Sequence, residues 1–302
     1  MTQPDHVISF VVDDAAKFQM QAWLFLHSLS KLGLSPRTQI LLVHCGKLHD
    51  AVRRKAETCG AEVTKVDRFG TGASAYCNKL QQLPAVLATQ ASYAVLCDTD
   101  LGFLIDPCTL TKPDVVRAKP VDKTNPAPAL LRQILDRAGF ADTQLTQMPD
   151  FAARDPSNLT HRLNCNGGLY ALPLDLLRDL EPAWRRWAEF SLTQGDLLGR
   201  ALIHSDQIGF CLAMLDLGLA YDPLEAEDNF PLHLPAPDYE AHQTRAPRVL
   251  HYHRRIGPDG QVLPTGIPAI DSRISLFNDR VADARTDPAF QSLLAAALTK
   301  VA

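Results

Sequence analysis

Between His6 and Cys97 the chain alternates short β-rich apolar runs with stretches whose apolar side chains recur at helical spacing, and that alternation leaves few folds open. His6–Val12 (HVISFVV) reads as a strand stopped by Asp13 and Asp14. Phe18, Ala22, Phe25, Leu26 and Leu29 then line one face of a helix over about residues 15–32. Residues 40–43, Glu62–Val66 and Tyr93–Cys97 read as further strands, with helices over 48–59 and 78–90 between them. Apolar strands joined by helices form a mostly parallel sheet covered on both faces, an α/β fold. Ligands of such sheets bind beyond the carboxyl ends of the strands, which singles out the residues after Val12 and after Cys97.

From 106 to 162 the pattern loosens under Pro107, Pro113, Pro120, Pro126 and Pro128, with one helix expected over 129–138. A lid, a partner-binding insertion and a plain surface excursion all fit that stretch. Order returns as a strand over 165–172, helices over 175–192 and 204–217, a late strand over 249–253, and an alanine- and leucine-rich helical tail over 271–301. The 302 residues carry 34 acidic and 30 basic side chains, a formal charge of −4. Such a balance gives no general attraction for nucleic acid or an anionic membrane, so any anion must be met locally. Seven cysteines without CxxC spacing read as small buried hydrophobes in a reducing cytoplasm. MTQPDHVISFVV lacks the pattern of a secretory signal, and no run approaches the length of a membrane span, so a cytoplasmic location is the expectation.

Four segments can carry chemistry. In VLCDTDLGFL, Asp98 and Asp100 stand at i and i+2 directly after an apolar run, so both carboxylates can reach one hard divalent cation at the sheet edge. A pair of capping aspartates is the plainer account, but apolar runs on both sides favour the metal. In NCNGGLY, Gly167 and Gly168 permit close approach of a ligand, although a bulge or tight turn explains paired glycines equally well. Ser205-Asp206-Gln207 opens a helix, where Ser205 or Asp206 serves either as N-cap or as a group facing the cleft. His251-Tyr252-His253-Arg254-Arg255 pairs two imidazoles on one side of a strand with the chain's clearest anion site, although for an isolated HxH plain core or surface packing is narrowly the better account.

The order DTD, NGGLY, SDQ, HYH resembles the GT-A fold glycosyltransferases, most closely glycosyltransferase family 8, which includes glycogenin and the bacterial lipopolysaccharide galactosyltransferases. The likeness runs over about residues 6–255 and is carried by these segments and the first strand. It implies one GT-A domain over 1–302, divided into a nucleotide-binding half (1–105), a variable insertion (106–162), a sugar and acceptor half (163–255) and the helical tail (256–302). It further implies a Mn²⁺ or Mg²⁺ ion on Asp98, Asp100 and His251, with His253 as the other choice of imidazole. Val11, Val12, Asp13, Phe18, Lys79, Asp98, Thr99, Asn166, Gly167 and Gly168 would contact the nucleotide-sugar donor, most simply a UDP-sugar, and Asp206 and Gln207 would lie nearest the reacting carbon. The partners implied are that donor and a glycan or other hydroxyl acceptor.

Where the family often continues with a lysine-proline-tryptophan segment, this chain reads RRIGPDGQVL, so Arg254 or Arg255 is expected to replace that lysine beside the leaving phosphate. A retaining hexosyltransferase would let the departing phosphate take the acceptor's proton, whereas inversion would make Asp206 the base; the residues leave both open. The rivals are an aspartyl-phosphate phosphatase, which usually carries Thr or Val where this chain has Gly102, and a sugar nucleotidyltransferase, which shows a glycine-rich basic loop that VVDDAAKF lacks. A nucleotide-sugar-binding protein without turnover is the third.

Overall fold

A computed structural model describes residues 4–151 and 157–299. Strands β1 (His6–Val12), β2 (Thr38–Cys45), β3 (Glu62–Val66) and β4 (Tyr93–Cys97) run parallel, as the alternation predicts. Past them come β5 (Leu101–Phe103), β6 (Arg117–Pro120), β7 (Cys165–Pro173), β8 (Phe230–Pro231) and β9 (Val249–His251). The main sheet has the order β3-β2-β1-β4-β7-β6, with β7 antiparallel to β4 and to β6, and a second sheet has the order β5-β9-β8.

The helices are α1 (Ala16–Ser30), α2 (Asp50–Thr58), α3 (Leu83–Leu87), α4 (Pro128–Arg137), α5 (Leu174–Thr193), α6 (Gly195–Leu198), α7 (Ser205–Leu217), α8 (Pro268–Arg280) and α9 (Pro288–Thr299). Strand alternation sorts the core into two layers. Ile8, Phe10 and Val12 of β1 join Val95 and Cys97 of β4 beneath α1, α8 and α9. Val7, Ala94 and Leu96 face the other way, onto α5 and α7 with Trp184 and Phe210.

Several elements differ from expectation, among them the late strand over 249–253, which ends at His251 with His253 beyond it at a positive φ, so the two imidazoles do not share a strand. The helix expected over 78–90 is a 3-10 helix, Gly72–Gln82, running into α3, which starts at Leu83 with Pro84 in its first turn. The tail is two helices separated by a 3-10 turn over Ala282–Thr286, the second starting at Pro288, where proline is accepted in a first turn. The stretch 106–162 supplies β6, an edge strand of the main sheet. Its sequence, Arg-Ala-Lys-Pro, hides a strand behind polar side chains that are paired inside the fold: Arg117 Nε lies 2.9 Å from Asp222, and fully buried Lys119 pairs with Asp122. All seven cysteines are free, and all but the half-buried Cys59 are buried.

The tail closes the first layer. Phe290, fully buried, packs its ring 5.0 Å from that of Trp23 on α1, and Lys55 lies 4.6 Å over the Trp23 face. Cavity and lost contact act together in such a position, so Phe290→Ala should destabilise the protein by about 3–5 kcal/mol, read as a lower midpoint in urea unfolding with little change in slope.

Candidate active site

The carboxyl ends of β4 and β1 open into a cavity of about 640 Å³, a size suited to a small organic ligand. Two registers build its floor. Cys97 of β4 pairs with Leu169 of β7, which sets Gly167 and Gly168 alongside Asp98, and the Asp98 N–H donates to Gly168 O at 2.8 Å. Leu101 of β5 pairs with His251 of β9, which brings the imidazole beside Asp100. His251 Nε2 lies 3.3 Å from Asp100 Oδ1. One ligand atom each from Asp98, Asp100 and His251 fall within 4.8 Å of one another, and two carboxylates with an imidazole are a donor set that Mn²⁺ or Mg²⁺ accepts. His253 stacks on His251 with ring centroids 3.7 Å apart and turns its Nδ1 to the His251 carbonyl, so His251 is the imidazole that joins the cluster.

The Lys79 ammonium stands between the carboxylates. It lies 2.9 Å from Asp98 Oδ1 and 3.3 Å from Asp206 Oδ2, and it donates to Gly167 O at 2.9 Å. Burial disfavours its charge, yet Asp98 and Asp206 outweigh burial and hold its pKa above the ordinary lysine value. Burial likewise opposes ionisation of Asp100, but His251, followed by His253 and Lys17, pulls its pKa well below the usual carboxylate range. Burial raises Asp206, and Lys79 offsets only part of that. Asp206 is 2% exposed, its Oδ2 faces Lys79, and its Oδ1 has no hydrogen-bond partner. Asp206 lines the cavity, and a buried acceptor without a partner there is a demand that a ligand hydroxyl can meet.

The glycines are explained by proximity. Both lie within β7 without positive φ, so neither makes a turn. A Cβ on Gly167 would sit 2.8 Å from the Lys79 ammonium, and one on Gly168 would sit 2.6 Å from His251 Cε1. Neither Ser205 nor Asp206 caps α7: His204 precedes the helix without a side-chain cap bond, and Ser205 Oγ donates to Leu202 O at 2.7 Å.

Val11, Asp13, Phe18, Thr99, Asn166, Gln207 and Arg254 also line the cavity. Asp13 is held by Arg68 at 2.9 Å and by Asn78 Nδ2 at 3.0 Å. Two expected residues are elsewhere. Val12 points into the core on the opposite side of β1 from Val11, and Arg255 turns its guanidinium to the Pro264 carbonyl, outside the cleft. Sequence reasoning missed Lys17, which lines the cleft from the very segment that showed no glycine-rich basic loop. Asp122, Asn125 and His233, in stretches with no recognisable motif, were missed, as was His204, which directly precedes the Ser205-Asp206-Gln207 segment. Burial first, and then Lys79, pulls the His204 pKa down to about 4, so this imidazole is neutral near pH 7.

The chain matches no family model and no curated protein. Solved structures do resemble it. Mouse xyloside xylosyltransferase 1 superposes with a TM-score of 0.52 at 14% identity, over 83% of this chain and 98% of that one. The galactosyltransferase LgtC, solved with donor and acceptor sugar analogues, gives 0.51 at 14% identity, over 92% of this chain and 95% of that one. The fold is that of the GT-A glycosyltransferases. Among the described residues no helix is long and apolar enough to cross a membrane.

Because the added methyl would meet the ring of a candidate ligand, Gly168→Ala should weaken Mn²⁺ binding by about 10-fold or more. Gly167→Ala meets Lys79, Asp206 and Gln207 rather than a candidate ligand and should weaken it less. Titration of Mn²⁺ against each protein, following the free ion by electron paramagnetic resonance, checks both.

Proposed function

We propose that the protein is a metal-dependent glycosyltransferase that moves a hexose from a nucleotide sugar, most simply a UDP-sugar, to a hydroxyl of a glycan or other acceptor. The observation that carries this reading is the convergence of Asp98, Asp100 and His251 with Lys79, Asp206 and Gln207 in one cleft of a GT-A fold. A divalent cation on Asp98, Asp100 and His251 would supply positive charge for the diphosphate leaving group.

The chain's own residues cover the remaining demands. Arg254 and Lys17 line the same cleft and add cationic charge for a diphosphate that an acidic chain would otherwise repel. Val11 and the partly exposed Phe18 offer an apolar edge and a ring face for a nucleobase. The unpartnered Asp206 Oδ1 takes a hydroxyl of the sugar, and Gln207, the next residue in the first turn of α7, reaches the same space.

Retention of configuration belongs to this reading. Every described carboxylate lining the cavity is already engaged: Asp13 by Arg68, Asp98 and Asp206 by Lys79, Asp100 by His251, and Asp122 by Lys119. In this reading the acceptor's proton passes to the departing phosphate, and Asp206, whose Oδ1 has no partner, takes the sugar hydroxyl instead.

Thermal unfolding with a panel of nucleotide sugars tests the reading. A nucleoside diphosphate sugar should raise the melting temperature in the presence of Mn²⁺, and Asp98→Ala should abolish the rise. Lys79→Met should lower the transfer rate by about 10²–10³-fold, the scale seen when one preorganised electrostatic group is removed. No response to any nucleotide sugar would overturn the proposal.

A further inference from the structure

The imidazole of the metal cluster has a partner on its other nitrogen, and that partner is the first link of a chain leading out of the cleft. His251 Nδ1 lies 2.9 Å from Oδ1 of Asn229, a fully buried side chain. Asn229 Nδ2 donates to Asn166 Oδ1 at 3.2 Å, and the same oxygen accepts the Gly168 N–H at 2.9 Å. Asn166 Nδ2 donates to Asp122 Oδ2 at 2.8 Å. The other Asp122 oxygen accepts from Lys119, whose side chain is 0% exposed and whose ammonium lies 5.5 Å over the Phe151 ring.

A carboxamide has a donor end and an acceptor end, so fixing one amide in such a chain fixes the next. Ionised Asp122 can only accept, which turns the Asn166 NH₂ toward it and the Asn166 oxygen toward Gly168 and Asn229. The Asn229 NH₂ is thereby committed, and its oxygen faces His251. His251 must then carry a proton on Nδ1, and Nε2, beside Asp100, is the nitrogen left for a ligand bond. From this geometry we infer that Lys119, Asp122, Asn166 and Asn229 form a relay that dictates which nitrogen of His251 binds the cation.

These are positioning residues, acting through one another on the imidazole, and the inference rests only on the metal-binding part of the proposed function. It also gives a reason for a lysine buried in an edge strand. A buried ion pair is a poor source of net stability, but Lys119 commits one Asp122 oxygen and leaves the other to orient the amides. Partners of metal-ligating histidines commonly change metal affinity by about 10–100-fold when altered.

The test uses the full chain and Mn²⁺ alone, without nucleotide. Asp122→Asn places an NH₂ where either Lys119 or Asn166 needs an acceptor, and Mn²⁺ affinity should fall by about 10–100-fold. In the pair D122N/N166D every donor again finds an acceptor, because the new amide accepts from Lys119 and donates to the new carboxylate. That carboxylate still accepts from Gly168 and Asn229, so affinity should return toward the wild-type value. Asn229→Leu changes no charge and should weaken Mn²⁺ as much as D122N does, which separates the relay from a simple loss of negative charge. It also keeps the test decisive if D122N alone does not fold. Unchanged affinity in D122N or in Asn229→Leu, or no recovery in the pair, overturns the relay. Failure of the wild type to bind Mn²⁺ overturns it together with the metal site, whereas intact Mn²⁺ binding without any nucleotide-sugar response overturns the transferase reading alone.

Discussion

Asp98, Asp100 and Asp206 place three carboxylates in one cleft, and like charges gathered away from water stand only with cations among them. Lys79 is the fixed cation. Its ammonium joins the end of β4, the start of α7 and the backbone of β7, three segments far apart in sequence, and the 3-10 helix that carries it is held where it must be by that demand. His251 approaches Asp100 from the second sheet, its Nε2 3.3 Å from Oδ1. The small sheet β5-β9-β8 is therefore what completes the cluster, since its pairing of Leu101 with His251 carries an imidazole across to the strand end where the carboxylates are.

The legible part of the sequence was the part governed by local rules. Strands β1, β3 and β4 have the ends that apolar patterning assigns them, and in β1 and β4 both faces are buried, so nearly every residue reports it. The DTD, NGGLY, SDQ and HYH segments all reach one cavity, as their order implied. What stayed hidden is what depends on partners distant in sequence. β6 reads as polar because Arg117 and Lys119 are neutralised by Asp222 and Asp122 inside the fold, and no periodicity reveals a buried ion pair. Arg254 and Arg255 look equivalent in sequence, yet one lines the cleft and its neighbour turns to Pro264. Gly167 and Gly168 could be read as a turn until the Lys79 ammonium and the His251 ring were seen to fill the space a Cβ would need.

The same long-range dependence reassigns the loose stretch over 106–162. Val121, Asp122, Lys123 and Asn125 line the cleft just beyond β6, and β6 is hydrogen-bonded to β7, the strand that carries Asn166. Residues on that side of the cleft are consequently anchored to the main sheet. The described part of the tail, by contrast, contributes no residue to the cavity and commits its apolar side chains to the layer beneath α1. The edge of the sheet, His204 and His233 line the cleft instead.

A cleft bounded by a hydrogen-bonded edge strand has little freedom to reshape around a ligand, and its polar groups must be oriented before the ligand arrives. Asn166 shows how far that goes: its oxygen is fixed by the Gly168 N–H and its nitrogen by Asp122, so the side chain cannot turn over without breaking a bond at each end. His204 is held similarly, with Asn125 Nδ2 2.7 Å from its Nε2. An imidazole that accepts there fixes the direction of the Asn125 amide, while Gln207 Nε2 lies 3.5 Å from the other ring nitrogen. The buried lysine on β6 and the neutral histidine before α7 therefore act alike from opposite sides, each converting a charge or a tautomer into a fixed direction for an amide that faces the cavity.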